Sequence, residues 1–386
     1  MGGNVVVVDV NGLNQRPDKP DFRILDRDRF VNDFLLLFEQ IDSAYHDHVG
    51  LNLWPKGVRS DLFSTCAVFN GSSSHLFDYG ISSEEFVRYK PKIGDLDITV
   101  PDNNLRALSE VLSSMQGKKI TEKHSFLGQK PSLTNGQINS VFEYELNELN
   151  KLKVQIDFEG TPYDANGPLE FIKFSKSSNW FDVKAGVKGV FHKLLLRSIA
   201  TVVSSRHDAV LLTPQSPLEP FEKIRLAKSD HVHTLSFSVD KGLRVAAEQQ
   251  FYRDCTPVMV SGKFAYKKTE ARDSIFVRSK SDIFEMLVSR VPTKDDLNLF
   301  SSFLGLLTLL NSFFEEKVIC DIYLDFVDHK LFGQKSQVLD IFDESNDYST
   351  KMPAVNMFRN ELQFLKVYDH HVEKMIASYY NRKLNA

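Results

Sequence analysis

Two aspartates separated by one residue stand in an otherwise apolar stretch of the chain. They are Asp95 and Asp97 in the segment "KIGDLDITVP". Residues i and i+2 of a β-strand point to the same face, so the two carboxylates should project together. Two like charges at this spacing repel each other unless a cation lies between them, and Mg²⁺ suits oxygen ligands of this kind. The spacing therefore predicts a magnesium site, and the alternative is an edge strand whose aspartates lie in water.

Two other segments carry groups that would complete such a site. The turn "FNGSSSHLF" contains Gly71, which allows backbone to approach a ligand closely, and Ser72 and Ser73, whose hydroxyl and amide groups suit a phosphate. The segment "KVQIDFEG" alternates like a strand and supplies Asp157. A third carboxylate on a neighbouring strand would let the site hold two metal ions. Taken singly, the first segment is more often an ordinary turn, and Asp157 a solvated hairpin residue.

Strands and helices alternate around these residues. Strand patterns cover residues 5–10, the segment "DITV" closed by Pro101, and the pair "QINSVFEYEL" and "KLKVQIDFEG", which predicts a hairpin. Helical spacing covers residues 30–45, 103–115 and 183–199. Residues 13–24 are polar and predict a loop or arm. The fold class expected is α/β (α+β), a short mixed sheet with helices on one side, followed by an α-rich C-terminal domain.

The length of 386 residues suits two or three domains. We expect an N-terminal extension and helix over residues 1–50, a domain that carries the motifs over 51–212, and a mixed, mostly helical C-terminal domain over 213–386. The last boundary follows from the prolines that gather after residue 213. Within the C-terminal domain, we expect two helices over 281–316, broken near Pro292, and a final helix that Pro353 opens.

Composition excludes some functional classes. Hydrophobic residues make up 42% of the chain and charged residues 25%, which is typical of a soluble globular protein. No apolar run approaches the length of a membrane span, and the N-terminal segment lacks the basic region of a signal peptide. The three cysteines lie far apart without metal-ligand spacing, which favours a reducing, cytoplasmic location. A net charge of −4 argues against a protein coated in nucleic acid but allows a local basic groove.

A local excess of basic residues follows the hairpin. Lys184, Lys188 and His192 are spaced four apart and would share one stripe of the predicted helix, while Lys193 and Arg197 form a second pair. Such side chains suit a triphosphate or an RNA backbone, so Lys188 and Lys193 are candidates for nucleotide binding. The alternative is a solvated helix face. A second basic run with interleaved aromatic residues, 262–280, could stack bases but is more often part of a sheet.

Together the three motifs resemble those of the DNA polymerase β-type nucleotidyltransferase superfamily. The matching features are the Gly71-Ser72 turn, the strand with Asp95 and Asp97, and Asp157 on a later strand. The resemblance covers about residues 60–205. It departs from the family in the long spacer between the turn and the paired carboxylates, residues 73–94, and in Asn70, where an apolar residue is usual. Ser73 is therefore an alternative to Ser72.

The resemblance implies a role for each motif. The Gly-Ser turn would hold the triphosphate, Asp95 and Asp97 would bind two Mg²⁺ ions, and Asp157 would activate the acceptor hydroxyl and help to hold one ion. Glu159 is an alternative for this third position, and Glu143 and Glu145 are weaker ones.

The function so implied is that of an enzyme, a nucleotidyltransferase. It would transfer a nucleoside monophosphate from a nucleoside triphosphate such as ATP to a hydroxyl group, with the 3′ end of an RNA such as a tRNA as the favoured acceptor. The alternatives are nucleotidylation of a protein or a small molecule, and a catalytically silent binding protein of the same fold.

Overall fold

A computed structural model describes residues 5–55, 68–164, 167–168, 170–204, 231–239, 241–249, 258–260, 263–265, 273–332 and 347–384. These residues divide into two compact units. The first runs to Gly189, and the second contains the residues that follow it. The predicted boundary near residue 213 lies outside the described residues. The predicted helix of the N-terminal extension belongs to the first unit and packs into its core.

The strands of the first unit are β1 Val7–Val8, β2 Asn14–Gln15, β3 Leu96–Pro101, β4 His124–Ser132, β5 Gln137–Asn147, β6 Asn150–Thr161, β7 Tyr163–Asp164 and β8 Gly167–Pro168. Four of them form a mixed sheet in the order β3-β6-β5-β4, in which β3 is parallel to β6 and the other pairs are antiparallel. Its helices are α1 Arg27–Val49, α2 Ser73–Leu76, α3 Ser83–Tyr89, α4 Leu105–Met115, α5 Glu170–Lys176 and α6 Trp180–Lys184, with 3₁₀ turns at Asp102–Asn104 and Leu133–Asn135.

The core of this unit follows from the periodicity of its elements. The Asp26 side chain caps α1 by accepting a hydrogen bond from the backbone of Arg29, and Gly50, with φ of 81°, ends the helix. The apolar stripe of α1 is buried together with the inward side chains of the sheet, such as Ile98 and Phe158. The predicted hairpin is confirmed as β5 and β6, which are joined through Asn147 and Asn150.

The second unit combines strands with helices. Its strands are β9 His231–Ser238, β10 Gly242–Gln249, β11 Val258–Val260, β12 Lys263–Ala265 and β13 Asp273–Val277, and three of them form an antiparallel sheet in the order β13-β10-β9. Its helices are α7 Gly189–Ser204, which begins at the boundary, α8 Lys280–Val288, α9 Lys294–Leu299, α10 Phe303–Phe313, α11 Glu316–Leu324, α12 Asp347–Glu361 and α13 Asp369–Leu384, with a π-helix at Asp325–Leu331 and a 3₁₀ helix at Gln363–Tyr368. The mixed α/β class is therefore confirmed.

Three helix predictions were wrong. The helix expected over 183–199 is interrupted, because α6 ends at Lys184, Gly186 takes a φ of 76°, and α7 begins at Gly189. Residues 281–316 form three helices, α8 to α10, rather than two. Pro353 lies inside α12 and does not open it. Within the described ranges, no helix combines the length and apolar character that a membrane span needs.

Candidate metal centre

Three aspartates meet where β3 and β6 lie side by side. The parallel register places Asp97 directly beside Asp157, and Asp95 immediately precedes β3. Each of the three residues offers a carboxylate oxygen, and these oxygens all lie within 4.8 Å of one another. The structure thus brings together the three acidic residues singled out in the sequence, as a group that could hold a metal ion.

Burial makes this arrangement electrostatically costly. Asp95 is 7% exposed and Asp157 is 1% exposed, and Oδ2 of Asp95 has no hydrogen-bond partner. Burial, followed by the charge of Asp157, raises the pKa of Asp95 to about 7. Burial and the Asp95 charge hold the pKa of Asp97 well above its ordinary value. A cation among the three carboxylates would remove this penalty.

Amide side chains hold Asp157 in a fixed orientation. Its Oδ1 accepts hydrogen bonds from Asn139 Nδ2 at 2.7 Å and Gln155 Nε2 at 2.8 Å, and its Oδ2 accepts one from Gln137 Nε2 at 3.1 Å. Burial raises the pKa of Asp157, while the bonds from Asn139 and Gln155 act in the opposite direction. Gln137 and Asn139 were not among the residues predicted from the sequence. Their spacing of two residues on β5 is visible in the sequence. The register that aligns Asn139 with Asp157 is not visible there.

The Gly-Ser turn packs directly against β3. The backbone N–H of Asn70 donates to Asp97 O at 3.0 Å, and Ser73 Oγ accepts from the backbone N–H of Asp97 at 2.8 Å. Ser73 is buried by this role, whereas Ser72 is half-buried. Gly71 takes a φ of 53°, and a Cβ at this position would overlap Oδ2 of Asp97. The turn therefore needs glycine, and its placement depends on the strand that carries the carboxylates.

A buried arginine fixes the segment after the turn. Arg27 on α1 donates to the backbone oxygens of His75 at 3.1 Å, Leu76 at 2.8 Å and Asp78 at 2.7 Å, and also to that of Ile81. Arg27 as a whole is 5% exposed. One side chain thus satisfies several backbone carbonyls that would otherwise be buried without donors. No pattern in the sequence links Arg27 to this loop, because the contacts span about fifty residues.

The alternative carboxylates have other partners. Glu159 accepts hydrogen bonds from Asn70 Nδ2 at 2.7 Å and from Lys176 Nζ at 3.1 Å. Glu143 forms an ion pair of 2.7 Å with Lys151 towards the other end of the hairpin. Glu145 lies towards that same end of β5, where it aligns with Lys151. These contacts favour Asp157 over the glutamates as the third member of the acidic group.

The predicted stripe of Lys184, Lys188 and His192 does not form, because these residues lie on α6, in the link after it and on α7. Lys184 pairs with Glu85 at 2.8 Å, and Lys188 lies in the link between α6 and α7, in the first unit. Lys193 lies on α7 in the second unit, where it is buried and its Nζ is 3.3 Å from His192 Nδ1. The predicted stripe was wrong because Gly186, with its positive φ, interrupts the helix that would have carried it.

The chain was compared with protein-family models, with curated proteins and with solved structures, and no match was found in any of the three. Function is therefore inferred from the geometry and chemistry of the acidic group and of the turn beside it.

Proposed function

We propose that the chain is a metal-dependent nucleotidyltransferase that transfers a nucleoside monophosphate from a nucleoside triphosphate to an acceptor hydroxyl. One observation carries the proposal. Three aspartates, two of them buried and Asp97 half-buried, converge where two parallel strands lie side by side, and a glycine-serine turn is hydrogen-bonded to the first of these strands at Asp97. The resemblance of these motifs to those of the polymerase β-type superfamily supports the same function. That resemblance also implies the short mixed sheet expected for this chain.

The donor set fits a hard divalent cation. Its donors are carboxylate oxygens, and Oδ2 of Asp95 is buried without a hydrogen-bond partner. Asp95, Asp97 and Asp157 would hold Mg²⁺, with room for two ions implied by the resemblance. Bound there, Mg²⁺ would neutralise charge on the triphosphate and on the departing pyrophosphate.

The protein's own groups position the phosphates and the acceptor hydroxyl, and one of them accepts a proton. The backbone at Gly71 lies against Asp97 of β3, and Ser72 follows it at the start of α2, where the outer phosphates would bind. Asp157, oriented by its amide donors, accepts the proton of the acceptor hydroxyl. The acceptor oxygen forms a bond to the α-phosphorus, the bond from that phosphorus to the bridging oxygen breaks, and pyrophosphate leaves. Positioning and charge neutralisation account for most of the rate.

The acceptor we favour is the 3′ end of an RNA, since basic residues gather after the catalytic segment of the sequence. The test incubates the purified chain with Mg²⁺ and each α-³²P-labelled triphosphate, in the presence of total RNA, of the protein alone, or of small hydroxyl compounds. We expect label on RNA ends from the wild type and none from Asp97→Ala. The matched control, Glu143→Gln, alters a carboxylate on the same hairpin and should retain activity.

Other outcomes decide between the alternatives. Label on the protein or on a small compound would keep the reaction and replace the acceptor. If no acceptor is labelled but the wild type binds Mn²⁺ and Asp97→Ala does not, the chain is a silent metal-binding relative. Absence of both transfer and metal binding would overturn the assignment of the acidic group itself.

A further inference from the structure

We infer that the side-chain oxygen of Asn70, Oδ1, is a fourth oxygen ligand of the cation held by the acidic group. The inference rests on the cation site of the proposed function and adds a ligand to it. Asn70 immediately precedes Gly71, at a position where the nucleotidyltransferase superfamily usually has an apolar residue. The resemblance therefore gives Asn70 no role, and the role inferred for it follows from its contacts.

The side chain of Asn70 lies on the same face of the sheet as the carboxylates. Phe69 forms an antiparallel bridge with Ile98, which places Asn70 opposite Asp97. The backbone N–H of Asn70 donates to Asp97 O at 3.0 Å, as this pairing requires. Residues directly opposite each other on antiparallel strands project to one face, with their Cβ atoms about 5 Å apart. The Asn70 carboxamide therefore projects beside the Asp97 carboxylate.

A hydrogen bond to Glu159 fixes the direction in which the carboxamide faces. Asn70 Nδ2 donates to Glu159 Oε2 at 2.7 Å, and Lys176 Nζ donates to the same oxygen at 3.1 Å. A carboxylate paired with a lysine only accepts hydrogen bonds, so the amide nitrogen faces Glu159 and Oδ1 is turned away from it. Because Glu159 aligns with Thr99, two residues beyond Asp97 on β3, this orientation turns Oδ1 back towards the carboxylates.

The oxygen that is turned in this direction is buried and unsatisfied. Asn70 is 2% exposed, and among the described residues no group donates a hydrogen bond to its Oδ1. Oδ2 of Asp95, just before the same strand, is in the same state. A buried acceptor without a donor is costly and calls for a ligand or an ion that satisfies it. A cation between the turn and the carboxylates would satisfy both oxygens at once.

An amide oxygen suits both this cation and its other ligands. Hard divalent cations take the side-chain carbonyl of asparagine as a ligand together with carboxylates. Because the amide is neutral, it adds a ligand without adding to the repulsion among the three aspartates. An apolar residue at this position would leave the same coordination position to water. The cation should therefore keep fewer bound waters than three carboxylates alone would leave it.

The experiment measures Mn²⁺ binding to the full chain, without nucleotide, by electron paramagnetic resonance. Titration gives the dissociation constant, and line broadening in ¹⁷O-labelled water reports the number of waters bound to the ion. We expect Asn70→Leu to lower the affinity by about tenfold or more, and its ion to bind one more water than that of the wild type. The matched control is Asn135→Leu, because the exposed Asn135 bonds Ser132 at 2.8 Å outside the acidic group, and it should match the wild type in both measurements.

Two further variants guard against a folding defect, which melting in chelator would reveal in Asn70→Leu. Asn70→Ala removes the same oxygen with less bulk and should also gain a bound water. The exchange Asn70→Asp/Glu159→Gln conserves net charge, keeps a side-chain oxygen opposite Asp97 and moves the amide donor to β6. It should bind Mn²⁺ at least as tightly as the wild type, with the same number of waters. A gain of water in this exchange variant would contradict the assignment of the ligand.

The remaining outcomes separate this inference from the proposed function. If Asn70→Leu equals the wild type in affinity and in bound water, Asn70 is not a ligand, even where nucleotide transfer is observed. A fall in affinity without a gain of water would mean that Asn70 acts through Glu159 alone, which also overturns the inference. A gain of water in a chain whose wild type transfers no nucleotide to any acceptor would establish the ligand and refute the proposed function. Absence of Mn²⁺ binding by the wild type would overturn both.

Discussion

The hairpin formed by β5 and β6 carries carboxylates towards both of its ends, and these carboxylates differ in burial and in ion pairing. Glu143 on β5 pairs with Lys151 on β6 at 2.7 Å, and the side chains are 24% and 49% exposed. Asp157, further along β6, is buried beside Asp95 and Asp97. Within the described part of the chain, no lysine or arginine forms an ion pair with these three aspartates.

The difference shows that Glu143, a carboxylate outside the acidic group, is neutralised by a basic side chain. Glu159 is neutralised in the same way, although it lies only two residues from Asp157, because it forms an ion pair with Lys176. The three carboxylates of the acidic group therefore repel one another, whereas Glu143 and Glu159 on the same hairpin are each paired with a lysine. A protein that gained nothing from this arrangement would be more stable without it, so the comparison supports a bound cation.

The largest effect should come from removing a member of the acidic group. We expect Asp95→Ala or Asp97→Ala to lower nucleotide transfer by roughly three orders of magnitude or more, because each removes a metal ligand. The measurement is the initial rate of label transfer at saturating triphosphate.

The same variants should fold. Taking one of several repelling carboxylates out of a buried group does not destabilise the metal-free protein, so the melting temperature in chelator should equal or exceed that of the wild type. Full activity in either variant would contradict the metal assignment. A collapse of the melting temperature would mean that these carboxylates are structural.

A smaller and more selective effect is expected at the third position. Asp157→Asn should lower turnover by about 10²–10⁴-fold, the usual contribution of a general base, and leave nucleotide binding largely intact. The check is to measure turnover and the nucleotide dissociation constant on the same preparation. Equal losses in both would make Asp157 chiefly a metal ligand. If neither changed, Glu159 would be the next residue to replace.

The local part of this site was predictable from the sequence. The period of two in a strand is enough to place Asp95 and Asp97 on one face, and the short turn at Asn147 to Asn150 is enough to predict the hairpin. Local spacing also pointed to Gly71, because a left-handed conformation close to a strand requires glycine.

The non-local part was not predictable. Nothing in the sequence fixes the parallel register that aligns Asp97 with Asp157, since that pairing joins segments about sixty residues apart. The same limit applies to Arg27, whose partners lie about fifty residues away. The basic stripe was wrong for a different reason. Spacing of four predicts a shared face only if the helix is continuous, and Gly186 breaks it.

The far end of the sheet has a buried titratable group of its own, His124. It stacks on Tyr144, with ring centroids 5.0 Å apart, and burial lowers its pKa to about 3. Because this value is below the pKa of 6.5 in the unfolded chain, the folded state favours the neutral ring. The stabilisation is complete above pH 6.5 and is lost as the pH falls towards 3. The loss should be about 1.4 kcal/mol per pH unit.

The variant His124→Phe should remove this share of the acid sensitivity. Urea unfolding at pH 7 and pH 5 measures it, and the wild type should lose about 2 kcal/mol more than the variant between the two. An equal loss in both proteins would show that His124 is protonated without cost in the folded state. The acidic group should not respond to the substitution, so Mn²⁺ binding at pH 7 serves as the control.

The smallest effect should come from the exposed pair at the far end. Glu143 lies directly opposite Lys153 and bonds Lys151 diagonally across the strands. Water screens such a pair, and holding two long side chains together offsets much of the attraction. Glu143→Gln should therefore leave the melting temperature unchanged within error and the transfer rate within about twofold of the wild type. Comparison of melting at low and high salt completes the measurement, since any residual contribution of the pair should vanish at high salt.

If Glu143→Gln instead lowered transfer or Mn²⁺ affinity as much as Asp97→Ala, the two ends of the hairpin would not differ as their burial and pairing indicate. The cation would then have to be sought at the far end.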